Sequence, residues 1–386
     1  MMSRRMFSAA LSLVPLLASS VPASTMANTI CADVSRDAQT YLAETGKPSI
    51  AIGVVKDGRI VCSIAIGVTD FKSGVLVTID TNFHLASVSK SLAAIAAMQL
   101  VMAKKLDLDR PITCYVPYFK MADLRYKKIT LQMLLNHRAG LGDVTDYGWD
   151  KPQTDNAALS RYVRSLKSEK LLSAPGAKFA YSNIGYEIIG AAIEHVSSES
   201  FEAYSQRHIF ANAGMTHTSF LYPAPHSSSQ AKPHFIGDDG KQIESNIYPY
   251  TRSHGPSSNL ESNVNDMNRW MVASLAKPSP ILSQKGWGLL WTQGAEAIDK
   301  DGDDHILGGS RIGLGWFSGP AFGEGLVFHP GEDTGFKAML MFNPLQRSGI
   351  VMMTNSDGPE PGGDKTDLYF GMRLAHAIFN RMQKQD

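Results

Sequence analysis

Segments with strand character fall at the two ends of the chain, and a long helical middle separates them. Near the start, "SIAIGVVKDGRIVCSIAIGVTD" holds two β-branched runs hinged on Asp57-Gly58, a strong hairpin signal. Near the end, "RIGLGWFSG", "GLVFHPG", "GFKAMLMFNP" and "SGIVMMTNSDG" read as further strands. From Ser87 to about Ala276 the pattern is mostly helical, as in "SKSLAAIAAMQLVMAKKL", "TLQMLLNH", "AALSRYVRSLKS", "NIGYEIIGAAIEHVSS" and "VNDMNRWMVASLA". "CADVSRDAQTYLAETG" is a helix ending at Gly46, and "LYFGMRLAHAIFNRMQ" closes the chain as another. Neither end can bury its strands alone. The expectation is one discontinuous α+β unit, in which both ends share an antiparallel sheet and the middle forms a helical subdomain. No internal repeat interrupts this pattern.

The chain has 386 residues, 44% hydrophobic and 19% charged, with a formal net charge of +1. That composition supports a large core and gives no footprint for nucleic acid or an acidic partner. The opening "MMSRRMFSAALSLVPLLASSVPASTMANT" has Arg4 and Arg5, then an uncharged apolar stretch, then small residues around Ala23 and Ala27. This is the layout of a secretory signal, and "SRRMF" resembles a twin-arginine export signal. Residues 1–27 are read as that signal, within about four residues at the cut. Residues 28–386 are read as the mature, exported protein, periplasmic or secreted, without a membrane span. Among Cys31, Cys62 and Cys114, an oxidising compartment allows one pair. Cys31 with Cys62 is the pairing favoured, with three buried thiols as the alternative.

Ser-x-x-Lys occurs at Ser87/Lys90, Ser229/Lys232 and Ser274/Lys277. Only Ser87 opens a long apolar helix, where the i, i+3 spacing puts Lys90 beside its hydroxyl and burial lowers the lysine pKa toward that of a base. Serine becomes a nucleophile only when such a base takes its proton. The alternative is a helix cap followed by a surface lysine. Tyr181-Ser182-Asn183 leads into a second apolar helix. A phenol beside a lysine cation can have its pKa lowered to act as a base, and an asparagine amide can accept from that lysine and donate to a substrate carbonyl. The alternative there is an ordinary helix start. His329-Pro330-Gly331 ends an apolar run as an edge strand would, with the Glu332 backbone N–H available to a developing oxyanion, or else it is a strand end and a turn.

These three features, in this order, resemble the serine β-lactamase and penicillin-binding protein family, most closely its class C-like branch with D-stereospecific peptidases and β-lactamase-fold esterases. "DTNFHLASVSK", "LDLDRPITCYVP", "ITLQMLLNHRAGL", "PGAKFAYSNIGYEIIGAAIE", "SSNLESNVNDMNRWM" and "HPGEDTGF" extend the resemblance over nearly the whole mature chain. It implies a five-stranded antiparallel sheet built from about 28–85 and 305–386, with an all-helical part over about 86–304. It further implies Ser87 as the acyl-forming nucleophile, Lys90 as its base partner and Tyr181 as the base for serine and the deacylating water. Asn183 would orient Lys90 and the substrate, and His329 and Gly331 would take the third-motif positions. The N–H groups of Ser87 and Glu332 would form the oxyanion hole. No metal or organic cofactor is implied.

Two departures bear on substrate. Where the family usually carries Lys-Thr-Gly or Lys-Ser-Gly, this chain has His329-Pro330-Gly331, which lacks both a fixed charge and a hydroxyl for a substrate carboxylate. Lys72-Ser73-Gly74 spells the missing motif but precedes the nucleophile and reads as a turn. Glu332 stands beside the expected oxyanion hole and is expected to face solvent. Among other features, "DKDGDDH" over 299–305 is read as a solvated turn. The irregular stretch 223–263 is read as a cleft wall or lid, and Tyr147, Trp149, Tyr222, Tyr248 and Tyr250 as possible pocket lining. The reading is an exported serine hydrolase cleaving a small ester or a peptide or amide with a D-residue. A class C-like β-lactamase or carboxypeptidase is the runner-up, and an idle binder of cell-wall fragments is the reading from another class.

Overall fold

The computed structural model describes residues 23–384, apart from 225–226, 228, 238, 293, 298–309, 320–324 and 359–370. The strands are β1 (Ser49–Lys56), β2 (Arg59–Gly67), β3 (Phe83–His84), β4 (His234–Ile236), β5 (Gln242–Glu244), β6 (Glu261–Ser262), β7 (Ala295–Glu296), β8 (Arg311–Ile312), β9 (Phe317–Ser318), β10 (Val327–Asp333), β11 (Phe336–Asn343) and β12 (Ser348–Thr354). The helices are α1 (Ala23–Thr45), α2 (Ser89–Met102), α3 (Leu131–Leu135), α4 (Ala158–Ser165), α5 (Asn183–Ser197), α6 (Phe201–Ser205), α7 (Ala211–Ala213), α8 (Gly255–Ser258), α9 (Val264–Leu275), α10 (Gln284–Leu290) and α11 (Met372–Lys384).

The main sheet is antiparallel, in the order β2-β1-β12-β11-β10-β9-β8-β7. Asp57 and Gly58 both have positive φ, 53° and 74°, as the tight turn of the β1–β2 hairpin requires. The last strand then pairs with the first, Val54 opposite Ile350, so the two ends of the chain share one sheet. Five strands were expected, and five long ones are present. Among the described residues the sheet has eight, because β7, β8 and β9 add two residues each, too few to show alternation. β7 comes from the segment expected to be wholly helical, and "RIGLGWFSG" is two short paired strands rather than one. The helical middle is also less regular than its pattern suggested, with α3, α6, α7 and α8 each of five residues or fewer.

Strand periodicity divides the core. Ala51, Val55, Ala338, Leu340, Val351 and Met353 face the helical part, while Ile50, Ile52, Val54, Met339, Met341, Ile350 and Met352 face the cluster that includes α1 and α11. Both faces being buried explains why these strands read as near-continuous apolar runs. α2 is buried around its whole circumference from Ser89 to Met98, which fits its lack of a polar face and makes it the axis of the helical part.

Cys31 and Cys62 form a disulfide joining α1 to β2. Cys114 is free and exposed, which removes the alternative of three buried thiols. Lys72-Ser73-Gly74 is a turn, with the Ser73 and Gly74 N–H groups donating to Asp70. The stretch 223–263 is more ordered than its composition suggested, holding the β4–β5 hairpin, α8 and β6. Tyr147 stacks on Trp149, while Tyr222 stacks on Tyr248 with Tyr250 alongside, so the five aromatics pair within two separate stacks. The 299–305 segment lies outside the described residues.

Candidate active site

Ser87 sits in a 3-10 turn, Ala86–Val88, between β3 and α2. Ala86 is left-handed, at φ 47°, a conformation that costs a β-carbon residue about 1 kcal/mol and persists only where neighbours enforce it. Here the Leu85 N–H donates to the Leu260 carbonyl at 2.8 Å and the Val88 N–H to the Leu85 carbonyl at 3.1 Å. β10 pairs with β11 over its full length but with β9 only at Val327 and Phe328. The rest of that edge is left to run against the serine turn. A β-carbon on Gly331 would lie 2.2 Å from the Leu85 carbonyl oxygen and 3.2 Å from the Ser87 nitrogen. Only glycine permits this approach, which brings the Ser87 turn and the residue preceding Glu332 together.

The Lys90 ammonium donates to Ser87 Oγ and to the Ser257 carbonyl, both at 2.8 Å. The Tyr181 hydroxyl donates to the same Oγ at 2.9 Å. Lys90 is wholly buried, and that burial lowers its pKa to about 8 against the raising fields of Asp143, Asp333 and Glu187. Its charge is partly met by the rings of Tyr181 and Tyr186, 5.0 and 5.7 Å from Nζ.

Tyr181 departs from expectation. Its pKa is raised well above the ordinary value, first by burial and further by the field of Asp143. The low-pKa phenol expected beside a lysine cation is therefore not present, and Tyr181 is a donor. His137 stacks on its ring at 4.3 Å. His137 Nδ1 accepts the Ser182 N–H at 3.1 Å, so Nε2 carries the proton. Burial, followed by the field of Lys90, keeps this imidazole neutral.

Asn183 also differs from expectation. It was expected to orient Lys90, but its Nδ2 donates to both Asp143 oxygens, at 3.0 and 3.1 Å, and its N–H to Asp143 Oδ1 at 2.8 Å. The lysine is held instead by the Ser257 carbonyl. His329 is fully buried, and burial together with the field of Lys90 depresses its pKa to about 3. Its Nδ1 donates to the Pro330 carbonyl at 2.6 Å. The third-motif position therefore offers no positive charge. The Glu332 side chain is 53% exposed and pairs with Lys337 at 3.5 Å, pointing away from the serine turn as expected of a surface glutamate.

Sequence reasoning missed a second charged group behind the site. His84 lies three residues before Ser87, with Nδ1 at 3.1 Å from Glu261 and Nε2 at 2.8 Å from Asp333. Asp333 also accepts from Ser258 Oγ, while Glu261 accepts from the Tyr248 hydroxyl at 2.9 Å and from Gln230 at 2.6 Å. Asp143, Ser257 and this cluster reach the site from distant parts of the chain. The one local signal was "NFHLAS", a histidine inside an apolar strand.

The sheet of joined chain ends, the helical part and a serine turn opening a buried helix define the architecture as that of serine β-lactamases and transpeptidases. The sequence model of the Beta-lactamase family matches residues 34–370, and the chain belongs to that family, whose members are serine hydrolases. It is 26% identical over 312 residues to "Protein flp" of Staphylococcus aureus (strain MRSA252), covering 80% of this chain but 59% of that protein's length. Among solved structures, the octameric penicillin-binding protein homologue from Pyrococcus abyssi superposes with a TM-score of 0.74 at 23% identity, covering 89% of this chain and 77% of that one. The D-alanine carboxypeptidase AmpC from Burkholderia cenocepacia gives 0.69 at 22% identity, covering 92% and 99%. At these identities the two structures speak to fold alone.

Proposed function

We propose that the protein is an exported serine hydrolase that forms an acyl-enzyme on Ser87 and cleaves an ester or amide bond. The observation that carries this reading is that Lys90 and Tyr181 converge on one Oγ, at 2.8 and 2.9 Å, with the lysine brought to about 8. The neutral form of Lys90 takes the Ser87 proton as Oγ attacks the carbonyl. The Ser87 and Glu332 N–H groups receive the oxyanion. Collapse breaks the bond to the leaving group, which takes the Tyr181 proton. Lys90 returns a proton to the phenol, and water then repeats the cycle in reverse to release the acid and restore Ser87. Lys90 is the base in this scheme and Tyr181 the proton donor, since burial keeps the phenol protonated.

The buried neutral His329 supports esters and amides without a carboxylate over penicillins. Export is supported by the Arg4-Arg5 opening with its apolar run and by the Cys31–Cys62 disulfide, which suits an oxidising compartment. No helix among the described residues is long and apolar enough to cross a membrane. The test is parallel turnover of a short-chain p-nitrophenyl ester, a D-alanyl amide and a penicillin by wild type and Ser87→Ala. Ester or amide turnover lost in the variant, with penicillin slower by about a hundredfold or more, supports the reading. Rapid penicillin hydrolysis overturns the substrate ranking, and acylation without turnover means an idle binder.

A further inference from the structure

Three segments supply the reacting groups of the proposed mechanism: the Ser87 turn, the Gly331–Glu332 edge of β10, and the Ser257–Ser258 turn whose carbonyl holds Lys90. The first two approach closely, yet no backbone hydrogen bond joins them among the described residues. Gly331 allows the contact but does not hold it. Among the described residues, the hydrogen bond that links their immediate flanks runs from His84 Nε2 to Asp333 Oδ2, 2.8 Å. His84 is three residues before Ser87, and Asp333 directly follows Glu332. The same carboxylate takes the Ser258 hydroxyl, so one group touches all three segments.

Both ring nitrogens of His84 face carboxylates, so both carry protons and the ring is an imidazolium. His84 and Glu261 are fully buried and the Asp333 side chain is 9% exposed. A charged cluster of this kind costs free energy that an apolar core would not, so stability alone does not account for it.

We propose that His84 is a positioning residue: clamped between Asp333 and Glu261, it sets the spacing of the Ser87 and Glu332 N–H groups that receive the oxyanion. This inference rests on the acyl-enzyme reading. His84 holds its proton to about 9, because hydrogen bonds to Asp333 and Glu261 outweigh the opposing effect of burial. The other groups facing it are Tyr248, with its ring edge-on at 6.0 Å, and the uncharged Phe336 at 5.6 Å. Ser258 and Gln230 act on it only through the two carboxylates, and Lys90 feels the field of Asp333. Above pH 9 the ring loses a proton, one carboxylate loses its partner and the clamp opens.

The experiment is the pH profile of kcat and KM for a p-nitrophenyl ester with wild type, Asp333→Asn and Glu261→Gln, each checked by thermal melting. Wild type should lose activity above about pH 9. In Asp333→Asn, kcat should fall by about a hundredfold, the worth of a displaced oxyanion donor, with KM within about threefold. Its acid and alkaline limbs should both move to lower pH, because Asp333 raises Lys90 as well as His84. Glu261→Gln keeps the Asp333 link and should move the alkaline limb alone, with a smaller loss of kcat. An absent alkaline limb in wild type overturns the inference even if both variants misfold, as does a folded Asp333→Asn with unchanged kcat and limbs. Wild type that never acylates fails the underlying reading instead, so the two failures are distinguishable.

Discussion

At the scale of single residues, the account turns on Ser87 and Lys90. Ser87→Ala should lower turnover by at least about a thousandfold while the melting temperature holds, since members of one catalytic unit fail together. More than a few percent of residual rate in a folded variant, about one turnover in thirty, would contradict the assignment. Because neutral Lys90 is the active form, kcat/KM should rise about tenfold per pH unit below the Lys90 pKa of about 8, level off just above it and fall again above about pH 9, where His84 loses its proton. Lys90 also carries a stability cost. Its pKa falls from 10.5 unfolded to about 8 folded, so the folded state is penalised below pH 8 by about 3 kcal/mol, relieved as pH rises toward 10.5. Lys90→Met removes the penalty but orphans the Ser257 carbonyl. It should gain about 1–2 kcal/mol at pH 7 in denaturant melts, shrinking to nothing by pH 10, with activity lost. Ser87, Lys90 and Tyr181 were legible because their neighbours in sequence place them. Asp143 and Ser257 were not, since an aspartate in a loop and a backbone carbonyl look the same in a sequence whether or not they come near a catalytic group. The direction of the Tyr181 shift depended on burial, which local pattern does not show.

At the scale of elements, the close packing of β10 on the serine turn is the feature to test. Gly331→Ala places a methyl 2.2 Å from the Leu85 carbonyl, and the strand must withdraw. kcat for ester hydrolysis should fall by about a hundredfold or more with little change in KM. An unchanged kcat would show that the edge does not shape the site. The Asp57-Gly58 hairpin and the glycine-bounded turns were readable because positive φ leaves a strong composition signal. Strands of two residues leave none, which is why β7 fell within the expected helical part and β8 and β9 were read together as one strand.

At the scale of the molecule, joining of the chain ends was foreseeable from strands at both termini that cannot bury themselves separately. The Cys31–Cys62 bond adds a link between α1 and β2 across 31 residues. Replacing both cysteines by serine should cost about 2–4 kcal/mol, read as a lower denaturant midpoint, with kcat unchanged because the bond lies on the sheet face away from the serine turn. An unchanged midpoint would mean that α1 is held by packing alone. What the sequence could not show was the convergence of His84, Glu261 and Asp333, which depends on β3, β6 and β10 meeting in space.

The most direct test of the central claim is an intact-mass spectrum quenched seconds after mixing with p-nitrophenyl butyrate at pH 8, with the modified peptide mapped and Ser87→Ala alongside. The expected result is a butyryl adduct on the peptide carrying Ser87, absent from the variant and decaying as product forms. The same adduct on Ser87→Ala, or full turnover by that variant, would contradict the account.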